Sequence, residues 1–299
     1  MKVLVTGGAG FIGSNLALAL QENGHRVTVL DNFSSGDFRN LNGFLGDVIA
    51  KDIGESCLEK DVPDVEVIFH QASITDTTLA DQRRMIYSNV EGFRHVLQFA
   101  SERKLPLIYA SSAGVYGDGK IPMKEGQTLR PLNAYAFSKC IIDNIAKESM
   151  GRAGFVLVGL RYFNVYGPHE AFKAKSASMI YQLAQQMKAG KRPRIFKFGE
   201  QQRDHIYVKD VIDANLKAME AKRSGIVNIG TGIATSFNRL VELLNQALET
   251  DLKPDYFDNP YQSAYQDYTQ ADTRAAEKLL GFQTRFSIEE GTRDYLTLK

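Results

Sequence analysis

A doubly wound parallel α/β sheet followed by a smaller lobe is the fold class that three features of this 299-residue sequence predict. First, short apolar runs recur at Val3 to Val5, Val27 to Leu30, Val67 to Phe69, Leu107 to Tyr109 and Val156 to Leu160. They show no period-two alternation, as expected of strands covered on both faces by helices. Second, segments of helical spacing separate them, among them Met85 to Ala100 and Ala134 to Met150, and strands that alternate with helices build a parallel sheet. Third, the texture changes near Val165 to a polar and aromatic mixture, with a helix near Ser178 to Ala189 and strands near Arg194 to Phe198 and Ile226 to Ile229. A first lobe over residues 1–165 and a second over 166–299 follow, with Ile206-Tyr207-Val208 and the helix after Asp210 expected to pack back on the first.

The first strand runs into Thr6-Gly7-Gly8-Ala9-Gly10-Phe11-Ile12-Gly13, a helix is expected from near Asn15 with Gly24 as its stop, and the second strand ends at Asp31. This is the context that a dinucleotide-binding glycine turn requires. Gly7 and Gly10 allow a tight turn and close approach to a pyrophosphate, Gly13 lets helix pack on strand, and the helix N-terminus offers N–H groups to the anion. The first lobe therefore reads as a Rossmann domain for NAD, with Phe11 and Ile12 beside the glycines at the cofactor. A carboxylate at Asp31, with Asn32 next to it, accepts hydrogen bonds from the adenosine ribose hydroxyls and repels a 2′-phosphate. The segment Asn32-Phe33-Ser34-Ser35-Gly36 supplies no cation for such a phosphate, while Arg39 lies close enough to leave NADP open.

Composition narrows the partners. With 36 basic and 35 acidic residues the net charge is +1, so no long-range field points to nucleic acid or an anionic membrane. Cys57 and Cys140 are the only cysteines; they lack metal-ligand spacing and suit a reducing compartment. No apolar stretch reaches the length of a membrane span, and the glycine turn begins too early for a signal peptide. A cytoplasmic protein without a metal site is expected.

Tyr135 and Lys139, four residues apart, share one helix face, and Ser111-Ser112 follow the strand that ends near Tyr109. Free tyrosine ionises near pH ~10, so service as a base at neutrality asks for about 4 kcal/mol of phenolate stabilisation, which a lysine ammonium and a cationic nicotinamide together supply. Tyr135 is then the proton shuttle, and Ser112 holds the same substrate hydroxyl in place.

These segments together resemble the extended short-chain dehydrogenase/reductase superfamily, in its nucleotide-sugar epimerase and dehydratase branch, along essentially the whole chain. The matching signatures are TGGAGFIG at Thr6, DN at Asp31, SSAGVYG at Ser111, YAFSK at Tyr135, RYFNVYGP at Arg161, RDHIYVKDV at Arg203 and NIGTG at Asn228. The resemblance implies that Tyr135 and Lys139 are catalytic with Ser112 as their partner. It places Tyr162, Phe163 and Val165 near the nicotinamide, and Gln71, Ala72, Ser73 and Asn89 along the cofactor. Asp47-Val48 would contact adenine, or Lys51-Asp52-Ile53 in their stead. Asn164, Gln182, Phe196, Arg203 and Tyr265 would hold the nucleotide sugar, and a homodimer would form through the helix bearing Tyr135 and its neighbour.

Within that branch the chain is similar to the ADP-glyceromanno-heptose 6-epimerase family, through Thr77-Thr78, PLNAYAFSK, YFNVYGPHE followed by Lys173, and YQDYTQAD from Tyr265. The similarity implies that Lys173 is a second acid/base opposite Tyr135; a solvated or phosphate-binding lysine is the other reading of it. His169 replaces that family's usual arginine and is read as a capping or packing residue. Dehydratases of the branch carry Thr-Asp-Glu where this chain has Ser112-Ala113-Gly114. Without that extra acid and base, what remains is hydride removal and return, which is epimerisation. A net dehydrogenase or reductase, a UDP-sugar 4-epimerase and a nucleotide-binding regulatory protein are the competing functions.

Overall fold

The computed structural model describes residues 1–54, 58–76, 81–152, 154–260 and 266–297. Its centre is a seven-stranded sheet of β1 (Lys2–Thr6), β2 (Arg26–Asp31), β3 (Asp47–Ala50), β4 (Val67–His70), β5 (Leu107–Ser112), β6 (Leu157–Tyr162) and, from far down the chain, Gly225–Ile229. The spatial order runs from Gly225–Ile229 through β6, β5, β4, β1 and β2 to β3, and every pairing is parallel. Order reverses between β1 and β4, the place where an open α/β sheet forms a crevice beyond its strand C-termini.

The side chains of β1 explain the two-sided cover. Val3 and Val5 join one apolar layer with Leu16, Ala17 and Leu20 of helix α1 (Phe11–Glu22). Leu4 points the other way. It joins Phe93, Val96 and Phe99 of a helix over Gln82–Arg103 and Ile142 and Ala146 of one over Ala134–Met150. Counting the short helix Leu58–Asp61 as α2, these are α3 and α4.

After β6 the chain makes short strand pairs. Asn164–Tyr166 (β7) pairs with His205–Tyr207, and Arg194–Phe196 with Asp255–Phe257. The helix expected near Ser178 to Ala189 spans Met179–Lys188, capped by the Ser178 hydroxyl. Val208–Met219 packs its Val211 and Ala214 into the α1 layer.

Three sequence expectations shift. Helix α1 starts at Phe11, a turn before Asn15, because Gly10 is extended and acts as its N-cap. The strand Asp47–Ala50, which the sequence reading did not set out as a strand, carries one half-buried and three exposed residues. Gly225–Ile229, which the texture of the sequence put in the second lobe, is the edge strand of the central sheet.

Candidate active site

A cleft of about 510 Å³ opens over the C-terminal ends of β1, β4, β5 and β6. Its floor is the glycine turn. Gly7 has φ +67°, and a Cβ there would lie 2.5 Å from the Ala72 nitrogen; one at Gly13 would lie 2.0 Å from the Gly7 carbonyl oxygen. Backbone therefore packs directly on backbone under the cleft, where any side chain would collide. Gly10 caps α1 with no side chain, which leaves the first-turn N–H groups for an anion. These features fit a dinucleotide pyrophosphate.

A narrower arm of about 180 Å³ continues past the end of β2 and is lined by Asp31, Asn32, Ala72 and Asn89. The Asp31 carboxylate accepts N–H bonds from Ala9 (2.9 Å) and Phe33 (2.8 Å), and burial pushes it above the usual carboxylate range. Two of the nearby cations are engaged elsewhere. Arg39 grips Asp37 at 2.8 and 2.7 Å, and Lys51 pairs with Asp61. This arrangement suits a ribose diol better than a 2′-phosphate. Asp31→Ala is expected to weaken NAD binding and narrow the gap to NADP, by fluorescence titration of both cofactors; a parent protein that prefers NADP would overturn this role for Asp31.

Asp47 and Val48 do not line the arm, whereas Lys51, Asp52 and Ile53 do. The reason is register. Asp47 pairs with Thr28, in the middle of β2, while Ala50 pairs with Asp31 at its C-terminal end, so only residues after Ala50 reach the crevice. Asn89 acts through the backbone it holds: it accepts from the Ile74 N–H (2.8 Å) and donates to the Ile74 carbonyl (3.1 Å). That clamp fixes the loop after β4, which brings Gln71, Ser73 and Ile74 to the cleft.

Ser112, Tyr135, Lys139 and Lys173 all line the main cleft. Asn133 caps α4 by accepting from the Ala136 N–H at 2.9 Å, which sets Tyr135 and, one turn on, Lys139 on the face toward β5. Tyr135 is hydrogen-bonded to Ser112, yet burial dominates and pushes the phenol up to about 12. Lys139 donates to the Ala110 carbonyl at 2.8 Å and stands 5.7 Å from the Tyr135 ring centre; burial brings its ammonium down to about 8, against the pull of Asp143. In the protein alone burial therefore sets the phenol, and the expected lowering is one that Lys139, which keeps its charge and two further donors beside this bond, supplies together with a cationic nicotinamide.

Tyr162, Phe163 and Val165 line the same cleft. The Tyr162 hydroxyl is fixed by Gln71 (3.2 Å) and by the Nδ2 of Asn215 (2.9 Å), and burial holds it neutral. Lys173 enters on a short turn, Ala171–Ser176, 5.4 Å from the Phe11 ring centre, and burial pushes its ammonium down while Glu170 pulls it up. His169 has its Nδ1 2.9 Å from the Ser14 hydroxyl, the packing role read from the sequence.

Among the described residues, those expected to hold the nucleotide sugar do not line this cleft. Phe163 and Val165 point in, so strand alternation turns Asn164 to the other face, where its Oδ1 accepts from Thr269 at 3.1 Å. Gln182 donates to the Lys175 and Ala177 carbonyls, Phe196 packs on Phe257 at 4.9 Å, and Arg203 donates to the Gln202 carbonyl. Tyr265 and Thr77-Thr78 lie outside the described residues. Sequence reading missed Arg84, which lines both cavities and belongs to no motif, and Phe172, whose only signal was its place beside Lys173.

Residues 3–230 match the NAD dependent epimerase/dehydratase family. The chain belongs to that family. Among solved structures, an ADP-L-glycero-D-manno-heptose-6-epimerase from Helicobacter pylori is 43% identical with a TM-score of 0.92, over 99% of this chain and 95% of that one. A UDP-N-acetylglucosamine 4-epimerase from Methanobrevibacter ruminantium is 31% identical at TM-score 0.92, over 99% and 96%. A UDP-glucose 4-epimerase from Thermotoga maritima is 31% identical at TM-score 0.91, over 99% and 97%. The expected fold and family are thus found, and the tyrosine, serine and lysine that the family resemblance made catalytic stand together. No helix among the described residues is long and apolar enough to cross a membrane.

Proposed function

We propose that this protein is an NAD-dependent nucleotide-sugar epimerase of the ADP-heptose 6-epimerase type, which oxidises a sugar carbon and returns the hydride to its other face. The observation that carries the reading is one cleft in which Tyr135, held by α4, and Lys173, held by the second lobe, flank a glycine cradle. Bound NAD supplies the hydride acceptor and donor. Tyr135, as the phenolate that Lys139 and the cationic nicotinamide would stabilise together, takes the proton of the reacting hydroxyl, and Ser112 holds that oxygen between phenol and cofactor. After the carbonyl turns, Lys173 gives a proton to its oxygen on the opposite side, and exchange with solvent then removes the first proton from Tyr135 and restores one to Lys173. The cofactor is regenerated each turnover, so a panel of nucleotide sugars should yield inverted products by NMR with no net change in nicotinamide absorbance. A stoichiometric absorbance change would instead favour a dehydrogenase or reductase.

Lys173 separates a 6-epimerase with two acid/base groups from a 4-epimerase in which the whole sugar flips and Tyr135 suffices. Lys173→Met is expected to cut the maximal rate by ~100-fold or more, the usual scale for losing a positioned acid/base, with substrate affinity little changed. A rise in KM at unchanged kcat would mark a phosphate contact and move the assignment to a 4-epimerase. The same reading makes the protein a cytoplasmic homodimer joined through α3 and α4, whose Tyr87 and Phe137 are exposed aromatics.

A further inference from the structure

We propose that Phe172 and Arg39 are positioning residues that pin the turn at residues 171–176 over the dinucleotide and so slow cofactor release. The proposal rests on the NAD reading of the cleft and is independent of any catalytic role for Lys173. The turn belongs to the second lobe, yet its tethers reach the elements of the first that cradle a pyrophosphate. Asn15 Nδ2 donates to the Pro168 carbonyl at 2.9 Å, and the Ser14 hydroxyl lies 2.9 Å from His169 Nδ1. These two contacts sit where the chain leaves β7, and His169, with φ 72°, bends it back. Farther out, the Lys173 ammonium is 5.4 Å from the Phe11 ring centre and the Arg39 guanidinium carbon is 3.9 Å from that of Phe172.

Arg39 is prepared for this contact. Its bidentate pair with Asp37 fixes the guanidinium plane, so a flat cation meets the ring with little side-chain freedom left to lose. Asp37 in turn donates its N–H to the Ala9 carbonyl at 3.0 Å, and Asn40 Nδ2 reaches the same oxygen at 3.0 Å. A continuous chain of contacts therefore runs from the glycine turn through Asp37 and Arg39 to Phe172. Phe172, Lys173 and Ser176 line the cleft that has Gly10 and Gly13 on its floor. A dinucleotide seated on that floor has this turn as its roof.

The test is NADH release, followed by fluorescence after a chase with excess NAD and without substrate. Phe172→Ala and Arg39→Met are each expected to release NADH about fivefold faster, on the scale of one lost cation–π contact at an exposed site, while Phe172→Trp keeps the parent rate. Because both residues act through one contact, the double variant should be no faster than the faster single one. Release within twofold of the parent in both single variants, or effects that multiply in the double variant, would overturn the proposal. Failure of this pin leaves the epimerase reading standing, whereas a parent protein that binds no NADH removes both.

Discussion

Tyr135→Phe is expected to abolish turnover while nucleotide-sugar affinity stays within a few-fold of the parent. The substitution deletes one hydroxyl and keeps a ring of the same size, so packing beside β5 is preserved and the loss falls on proton transfer. A positioned acid/base contributes ~10²–10⁴-fold, and here the hydroxyl is also the partner of Ser112, so its removal frees the second group that orients the substrate. Product formation by NMR gives the rate and calorimetry the affinity. Turnover close to the parent rate would remove Tyr135 from the mechanism, whereas a matched loss of affinity would make it a binding residue.

Asp143→Ala is expected to cost about 3–5 kcal/mol of stability, the range for breaking one side of a buried ion pair. Asp143 and Arg161 are fully buried and 2.8 Å apart. Tyr109 donates to the other carboxylate oxygen at 3.0 Å, and Arg161 reaches the Tyr116 hydroxyl at 2.8 Å. Removing the carboxylate leaves a guanidinium without its counter-charge in the core between α4 and β6. Urea unfolding followed by circular dichroism reads the effect, and a loss below about 1 kcal/mol would show that water or rearrangement compensates. Replacing both residues with apolar ones should recover much of the loss, since the desolvation cost then disappears with the charges. Asp143 lies one helical turn beyond Lys139 and supports its positive charge, so the single variant also weakens the site.

The parts of this site that sequence reveals are those where backbone chemistry demands particular residues. Gly7 and Gly13 stand where a side chain has no room, and Tyr135 and Lys139 stand at a spacing that puts both on one helix face. Asp47-Val48 and Lys51-Asp52-Ile53 were rival adenine contacts in the sequence because no local pattern gives the register of the edge strand Asp47–Ala50 on β2, and that register puts Lys51, Asp52 and Ile53 along the arm. Asn164, Phe196 and Arg203 depend on how short strands of the second lobe face one another, and Gln182 on how the helix Met179–Lys188 is turned, which no local pattern encodes. The sequence puts Arg39 close enough to leave NADP open and its pair with Asp37 is local, but its contact with Phe172 is a tertiary fact.

The late arrival of Gly225–Ile229 in the central sheet bears on the order of synthesis. Until residue 229 has been made, β6 presents an open row of backbone groups at the sheet margin, and such margins invite pairing with other chains. Asn228, which accepts from the Tyr116 hydroxyl at 2.6 Å, is also missing at that stage, so the network around Arg161 is incomplete. A ribosome-bound chain that has emerged only as far as Val165 therefore holds a cofactor cradle on an unfinished sheet. The apparent boundary between the lobes is a turning point of the chain, where a gene cut for fusion or truncation would sever one cooperative unit.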